Sequence, residues 1–344
     1  MIYRSKAPLR IGLAGGGTDV SPFTDLHGGA ILNATINLYA YASIVPRHDG
    51  KIVIHAADKA KRVEYDSEEH VDVARCRDIC LQLGVYNRIV KDFAKKPLAF
   101  ELTTSIDVAA GSGLGTSSTL VVAIIGAFVE WLKLPLGEYD MARLAYSIER
   151  EDLAMSGGRQ DQYAATFGGV NFMEFYADEK VVVNPLRIRN GILHNLEYHL
   201  PLFYTRTTRE SASIIDEQKQ NVGQNKQDAI QATLKLKEQS FWMKEALLKG
   251  NISEMGEILN HGWNSKKKMA RNITNPYIDQ LYDTAMEAGA SGGKISGAGG
   301  GGFMFFYCPA ETKHQVIKAL ASVGADYYRY NFVKEGVLTW TSKE

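Results

Sequence analysis

Nothing in this chain is apolar for long enough to span a bilayer. The longest such run, Leu120 to Val129, is interrupted by Gly126 and falls well short of the ~20 residues that a membrane helix requires. Cysteine is scarce as well. Cys76, Cys80 and Cys308 are an odd set with neither a disulfide-like nor a zinc-like spacing, which suits a reducing cytosol. Net charge is missing altogether, since Lys+Arg and Asp+Glu both number 39. No global field gathers nucleic acid or an anionic membrane surface, so neither is expected as a partner. The opening Met-Ile-Tyr-Arg-Ser-Lys-Ala-Pro lacks the apolar core of a secretory leader, and a cytoplasmic location is expected. Internal repeats and low-complexity linkers are absent too. What is left is a chain of 344 residues, long enough for two packed domains at roughly 100–200 residues each.

Glycine, by contrast, is clustered. It fills Leu13-Ala-Gly-Gly-Gly-Thr-Asp19, Ala109-Ala-Gly-Ser-Gly-Leu-Gly-Thr-Ser-Ser118 and Ser296-Gly-Ala-Gly-Gly-Gly-Gly-Phe303. Glycine lets another group approach the main chain closely, and three such loops in one chain fit a phosphate-bearing ligand better than three unrelated turns. The central loop follows a strand and opens into a segment, Leu120 to Lys133, that is apolar nearly all round, as in a buried helix. Glycines before a helix N-terminus expose backbone N–H groups to an anion, and the helix dipole adds a favourable field. Thr116, Ser117 and Ser118 are natural N-caps, and at least one of them is expected only to cap.

Three familiar sites can be set aside. A Walker A loop needs Gly-Lys-Ser/Thr, whereas Gly115 is followed by Thr-Ser-Ser. Residues Gly297 to Gly302 match a dinucleotide fingerprint in letters, but they lead into the strand-like Phe303-Met-Phe-Phe-Tyr307 rather than a helix. Neither His-Arg-Asp nor Asp-Phe-Gly of the protein kinases occurs.

Alternation and β-branched content predict strands at 29–46, 51–57, 98–107, 168–176 and 180–188, and later at 303–307, 326–333 and 336–340. Helical periodicity predicts helices at 208–221, 225–249, 252–270 and 276–288. A further helix is expected from about 138 to Ser156-Gly-Gly158, with a new one starting at Asp161. The first half is β-heavy and the second helical, which places a domain boundary near 190, at Arg189-Asn-Gly191.

Taken in order, Ala7-Pro-Leu-Arg10, Gly113-Leu-Gly-Thr-Ser-Ser118 and Gly297 to Phe303 resemble the motifs of the GHMP small-molecule kinases, the family of galactokinase and of homoserine, mevalonate and phosphomevalonate kinases. The resemblance covers nearly the whole chain. It implies an α+β, two-domain fold: an N-terminal mixed-sheet α/β domain, residues 1–190, a C-terminal ferredoxin-like domain, residues 191–344, and an active site in the cleft between them. It also implies ATP and Mg2+ as cofactors, with ATP phosphates held by Gly111, Ser112, Gly113, Leu114, Gly115, Thr116, Ser117 and Ser118.

A fourth segment, Glu149 to Gln162, resembles the galactokinase stretch in which a glutamate twelve positions ahead of an Asp-Gln pair binds magnesium and the aspartate faces the acceptor hydroxyl. On that resemblance Glu149, with Ser117 or Ser118, is the metal site, and Glu151 is the alternative ligand. Asp161 is the base or orienting group, unless it is simply a first-turn acid of a helix. Arg10 matches the position beside that aspartate, where a guanidinium would offset charge on the transferring phosphoryl group; otherwise it is a strand cation reaching solvent.

The acceptor is read from departures. Galactokinase has Glu-His-Thr-Asp where this chain has Gly16-Gly-Thr-Asp19, which argues against galactose and leaves room for a longer sugar. The pattern around residues 13–20 and 28–36 resembles the D-glycero-D-manno-heptose 7-phosphate kinases within the family, which phosphorylate the anomeric oxygen. Fucokinases share much of it and are the alternative, and a non-catalytic sugar or ATP sensor is a second. Gly16, Gly17, Thr18, Asp19, Gly299 and Gly300 are the expected acceptor contacts. Arg159, Arg206 and Arg209 are candidates for an acceptor phosphate or, equally, surface arginines.

Overall fold

The structure is a computed structural model that describes residues 1–207 and 211–343. Strand β1 (Ile2–Ala14) pairs antiparallel with β2 (Gly29–Pro46), the short helix α1 (Phe23–His27) lying between them in the chain. The ladder shifts register between Pro8 and Leu9. Ahead of that irregularity Ala7 belongs to one core, whereas Leu9, Ile11 and Leu13 belong to a second. A register slip moves side chains from one face of a sheet to the other, and here it turns Arg10 away from the second core.

The sheet extends through β3 (Lys51–Ala56), β4 (Lys61–Asp66) and β5 (Phe100–Ile106), with helix α2 (Cys80–Ile89) between β4 and β5 in the chain. Helices α3 (Thr116–Leu132), α4 (Glu138–Ser147) and α5 (Gln160–Phe167) follow, then β6 (Val170–Phe175) and β7 (Val181–Pro185). Helix α3 is buried without interruption from Ser118 to Phe128 and packs on β1 and β2.

Beyond α6 (Asn190–His199) the chain enters a second unit: β8 (Leu202–Tyr204), α7 (Ser211–Gly223), α8 (Gln227–Lys249), α9 (Met255–Lys266), α10 (Pro276–Glu287), β9 (Gly292–Ile295), β10 (Phe303–Tyr307), α11 (Lys313–Ser322) and β11 (Asp326–Tyr328). Its sheet runs β11-β8-β10-β9, every neighbouring pair antiparallel. Counted within the unit that is the order 4-1-3-2 of the ferredoxin-like arrangement. Local chemistry fixes these elements: α10 starts where the Asn275 side chain accepts from the Ile278 N–H at 3.0 Å, with Pro276 at the first helical position.

The division at residue 190 does not hold to the end of the chain. The last strand, β12 (Leu338–Ser342), returns to pair with β1, and Ile36 bridges Phe332. The first sheet, eight-stranded among the described residues, is therefore completed by the C-terminal residues. No helix among the described residues is long and apolar enough to cross a membrane.

Candidate active site

Between β5 and α3 the chain turns through Gly111, Gly113 and Gly115, with φ of 76°, 82° and 81°. These are left-handed values that glycine adopts without strain. The alternation sorts the loop: Gly111, Gly113 and Gly115 to Ser118 line a cleft of about 820 Å³. Leu114 instead packs in the second core, and Ser112 is buried with its backbone carbonyl accepting from Phe303 N–H at 2.9 Å. Helix α3 has Gly115 at its N-cap and no side-chain cap. The expectation that a hydroxyl of Thr116, Ser117 or Ser118 would cap is thus not met, and the first N–H groups of a 17-residue helix face the cleft without one.

The third glycine segment explains itself here. A Cβ on Gly113 would stand 2.3 Å from the Ser296 carbonyl, and one on Gly302 2.2 Å from that of Ser112. The segment therefore backs the phosphate loop, main chain against main chain. Gly297 and Ala298 reach the cleft. Gly299 and Gly300, expected to touch substrate, pack on Ile273: Gly300 donates to its carbonyl at 2.8 Å, and a Cβ on Gly299 would lie 2.9 Å from the same oxygen.

Asp161 occupies the first turn of α5. Arg10 Nε donates to its Oδ1 at 2.7 Å and Nη2 lies 2.6 Å from the same oxygen, while Nη1 donates to the Gly113 carbonyl at 2.6 Å. Arg10 is buried, so it is no solvent-seeking strand cation, and it joins the carboxylate to the phosphate loop. Both pairing nitrogens fall on Oδ1, which leaves Oδ2 toward Gly115, where a Cβ would be 3.3 Å away.

Glu149 lies in a single wide turn, Ile148–Asp152, that prolongs α4. It is 1% exposed yet lines the cleft. Its Oε2 accepts from Gln162 Nε2, which also donates to Ser118 Oγ at 3.0 Å, so carboxylate and hydroxyl share one donor. Burial pushes the Glu149 carboxyl up, against the pull of the adjacent Arg150. Glu151 is elsewhere: its side chain is 53% exposed, hydrogen-bonded to Ser147 and 3.9 Å from Arg88. Among the described residues no three His, Cys, Asp or Glu side chains cluster. One carboxylate and a hydroxyl fit magnesium, which takes its remaining oxygens from phosphates and water.

At the other end, Thr18 is structural. Its hydroxyl donates to the Gly15 carbonyl at 2.8 Å and accepts from the Ala30 N–H at 3.0 Å, fully buried. Asp19 Oδ2 accepts from the N–H groups of Arg159 (2.8 Å) and Gln160 (3.0 Å) at the start of α5, whereas Oδ1 is buried without a partner among the described residues and the residue lines the cleft. Capping and an open acceptor are thus combined in one carboxylate. Burial raises its pKa, and those N–H groups oppose the rise.

Two of the arginines expected at an acceptor phosphate, Arg159 and Arg206, are engaged otherwise. Arg159 donates to the Tyr176 carbonyl at 2.9 Å, pairs with Asp25 at 3.4 Å and lies over the Tyr146 ring. Arg206 is bidentate on Asp326 at 2.7 and 2.6 Å with its side chain 65% exposed. Neither lines the cleft, and Arg209 lies outside the described residues. Gly17 has φ of 103°, a left-handed conformation that favours glycine, and a Cβ there would also meet the terminal methyl of Met269 at 2.8 Å, which would have to shift. The inference of spare room therefore survives only at Gly16, whose Cβ would be 3.7 Å from Lys266 Nζ and 4.0 Å from Lys294 Nζ.

Those two lysines were missed by the sequence reading. Lys294 donates to the Gly12 carbonyl at 2.9 Å, and burial, then Lys266 and Arg10, hold it well below its ordinary pKa. Lys266 is 2% exposed and lines the cleft, and burial lowers it to about 8. A signal was present: Leu259, Gly262, Trp263 and Lys266 fall at i, i+3, i+4 and i+7, the buried stripe of α9. The run Lys266-Lys-Lys268 hides it as an apparent solvated face.

Residues 81–169 match the model of the GHMP kinases N terminal domain, and residues 243–326 that of the GHMP kinases C terminal. The chain is 48% identical, over 98% of both sequences, to a D-glycero-alpha-D-manno-heptose 7-phosphate kinase of Campylobacter jejuni. It is 26% identical to an L-fucokinase/L-fucose-1-P guanylyltransferase of Bacteroides fragilis, over 97% of this chain and 37% of that one. A crystal structure of a D-glycero-D-manno-heptose 1-phosphate kinase from Bacteroides thetaiotaomicron superposes with a TM-score of 0.85 at 44% identity, covering 99% of this chain and 100% of that one. A Lactococcus lactis galactokinase complexed with galactose, at 20% identity and a TM-score of 0.75, covering 98% of this chain and 95% of that one, shares the fold.

Proposed function

The chain belongs to the GHMP kinases, and on that premise we propose that it transfers the γ-phosphoryl group of ATP to the anomeric hydroxyl of D-glycero-D-manno-heptose 7-phosphate. The product is the 1,7-bisphosphate, a precursor of GDP-heptose for surface polysaccharide, made in the cytoplasm. The observation that carries the reading is the Arg10–Asp161 pair, closed onto the Gly113 carbonyl at the mouth of the uncapped α3. An acceptor-facing carboxylate and a phosphate cradle are there joined by one guanidinium.

Phosphoryl transfer is mostly positioning and charge stabilisation. The N–H groups of residues 111–118 and the α3 dipole hold the nucleotide phosphates. Glu149 and Ser118, with Ser117 at the same rim, would hold Mg2+, which when bound neutralises phosphate charge. Asp161 Oδ2 aligns the attacking hydroxyl and takes its proton, as Arg10 fixes the carboxylate through Oδ1 and faces the charge that develops on the transferring group. Asp19 Oδ1 accepts from a sugar hydroxyl.

The test is ADP release over heptose 7-phosphate, fucose, galactose, mannose and mevalonate, with Asp161→Asn beside the natural chain. Heptose 7-phosphate is expected to turn over fastest, and Asp161→Asn to lower kcat by roughly 10²–10⁴-fold with the KM for ATP little changed. Faster turnover of fucose would move the acceptor to the fucokinase side. Undiminished kcat in Asp161→Asn would remove the aspartate from the chemistry.

A further inference from the structure

An acceptor that already carries a phosphate brings a dianion into the cleft, and of the arginines expected to meet it Arg159 and Arg206 are bound elsewhere. Lys266, at the end of α9, is a cation that remains. It is almost fully buried, lines the cleft, and among the described residues makes no ion pair; its side chain approaches the Gly16 carbonyl at 3.4 Å. A buried ammonium without a counter-charge is costly unless a ligand supplies one. Gln218, on α7 and 6% exposed, lines the same cleft with a buried Nε2 that has no hydrogen-bond partner among the described residues. Its Oε1 and the Met269 methyl both close on Gly17. The point where a side chain on Gly16 would begin is 3.7 Å from Lys266 Nζ and 4.0 Å from Lys294 Nζ, so two ammonium groups converge where this chain carries no side chain.

We propose that Lys266 and Gln218 form the seat of the acceptor's own phosphate, at the Gly16–Gly17 end of the cleft, with Lys294 behind the Gly16 main chain adding field. An ammonium and an amide N–H are donors suited to phosphate oxygens, and a point charge on a flexible stem is a recurrent phosphate binder. The seat rests on the reading of the acceptor as a sugar phosphate. It makes Lys266 a specificity residue: a neutral sugar would leave its charge buried and unpaired, which disfavours that complex.

The experiment uses the full chain with Lys266→Met, Lys266→Arg and Gln218→Leu, and measures KM for heptose 7-phosphate, for the unphosphorylated heptose and for ATP. Lys266→Met is expected to raise the KM for the phosphorylated sugar by roughly 10- to 100-fold, the loss of one charged hydrogen bond. Gln218→Leu should raise it by roughly 3- to 10-fold. Neither raises the KM for ATP or for the unphosphorylated sugar, which Lys266→Met is expected to lower because the unpaired charge is gone, and Lys266→Arg restores most of the affinity for the phosphorylated sugar. An equal rise for both sugars, or no rise in either variant, overturns the seat. Binding is read separately from turnover by following Tm against inorganic phosphate with a non-hydrolysable ATP analogue filling the loop. A phosphate-dependent rise in Tm that Lys266→Met abolishes, in a chain that phosphorylates no heptose phosphate, keeps the anion seat and discards the acceptor. Turnover of heptose 7-phosphate with the same KM in all four proteins keeps the acceptor and discards the seat.

Discussion

At the scale of the residue, the site is governed by buried charges that lack full compensation. Lys266 is the clearest, because burial lowers it from 10.5 to about 8, with the Asp19 carboxylate opposing that shift and Arg10 reinforcing it; Lys294 is the remaining cation facing it. The sign of the pH effect differs between folding and binding. In the free chain the unfolded state holds the proton more tightly, so this group's burden on folding is full below about pH 8 and is relieved as pH climbs toward 10.5. Phosphate binding needs the charged form and is lost over the same climb. kcat/KM for the phosphorylated sugar is therefore expected to fall above about pH 8, while kcat/KM for ATP at saturating sugar stays level. Lys266→Arg should carry the fall out of the measured range, since guanidinium stays protonated. A profile for the sugar that is level through pH 9 to 10 in the natural chain would refute the assignment of the charge.

At the scale of the element, α3 and its loop form one device. The helix is buried along most of its length, and its N-terminus has Gly115 at the cap position with no side-chain cap among the described residues, while Thr116, Ser117 and Ser118 line the cleft. The loop keeps its shape by main-chain contact with residues 296–302. Gly113→Ala meets both obstacles at once: a left-handed φ of 82° and the Ser296 carbonyl 2.3 Å from the new Cβ. The left-handed conformation alone costs about 1–2 kcal/mol for a residue with a Cβ. The variant is expected to be less stable by at least that amount and to bind ATP several-fold more weakly, as read by denaturant unfolding and by the KM for ATP. Gly191→Ala is the contrast. It lies in α6 with no atom within 4 Å of its Cβ and should be neutral or stabilising by about 0.5–1 kcal/mol. Equal losses in the two variants would mean that the loop tolerates a side chain.

At the scale of the whole molecule, the C-terminal strand ties the end of the chain to its beginning. Strand β12 lies against β1 from Ile2 to Lys6, and Thr339 and Thr341 donate to the Glu130 carboxylate at 3.2 and 2.6 Å, near the end of α3. The closure therefore supports the same helix whose other end faces the cleft. Removal of the chain beyond Gly336 should lower Tm by roughly 5 °C or more, from lost ladder bonds and an uncovered edge, with a smaller effect on the KM for ATP than Gly113→Ala has. An unchanged Tm in a thermal melt would show that the strand adds nothing to the fold.

The sequence by itself determined the elements with strong local signals and the chemistry with strong motifs. Periodicity located β2, β5, β10, α8 and α10 to within a few residues, and the central glycine cluster falls in the loop that opens α3. Short or weakly patterned elements were not legible. Helices α2, α6 and α11 and strands β4, β8 and β9 went unseen, because four residues of buried strand or a weakly amphipathic ten-residue helix carry little period to read. A second sheet opens at β8, but the return of β12 to the first was not legible, since strand pairing across more than 300 residues leaves no local trace. Among the residues singled out from the sequence, Arg10, Glu149, Asp161 and Asp19 line the cleft, whereas Arg159, Arg206 and Gly299 have other partners. A charged side chain is exposed or buried according to what packs on it. Only the tertiary structure could decide that Arg206 pairs its charge with Asp326 while Lys266, one of three lysines in a row, lines the cleft with no ion pair among the described residues.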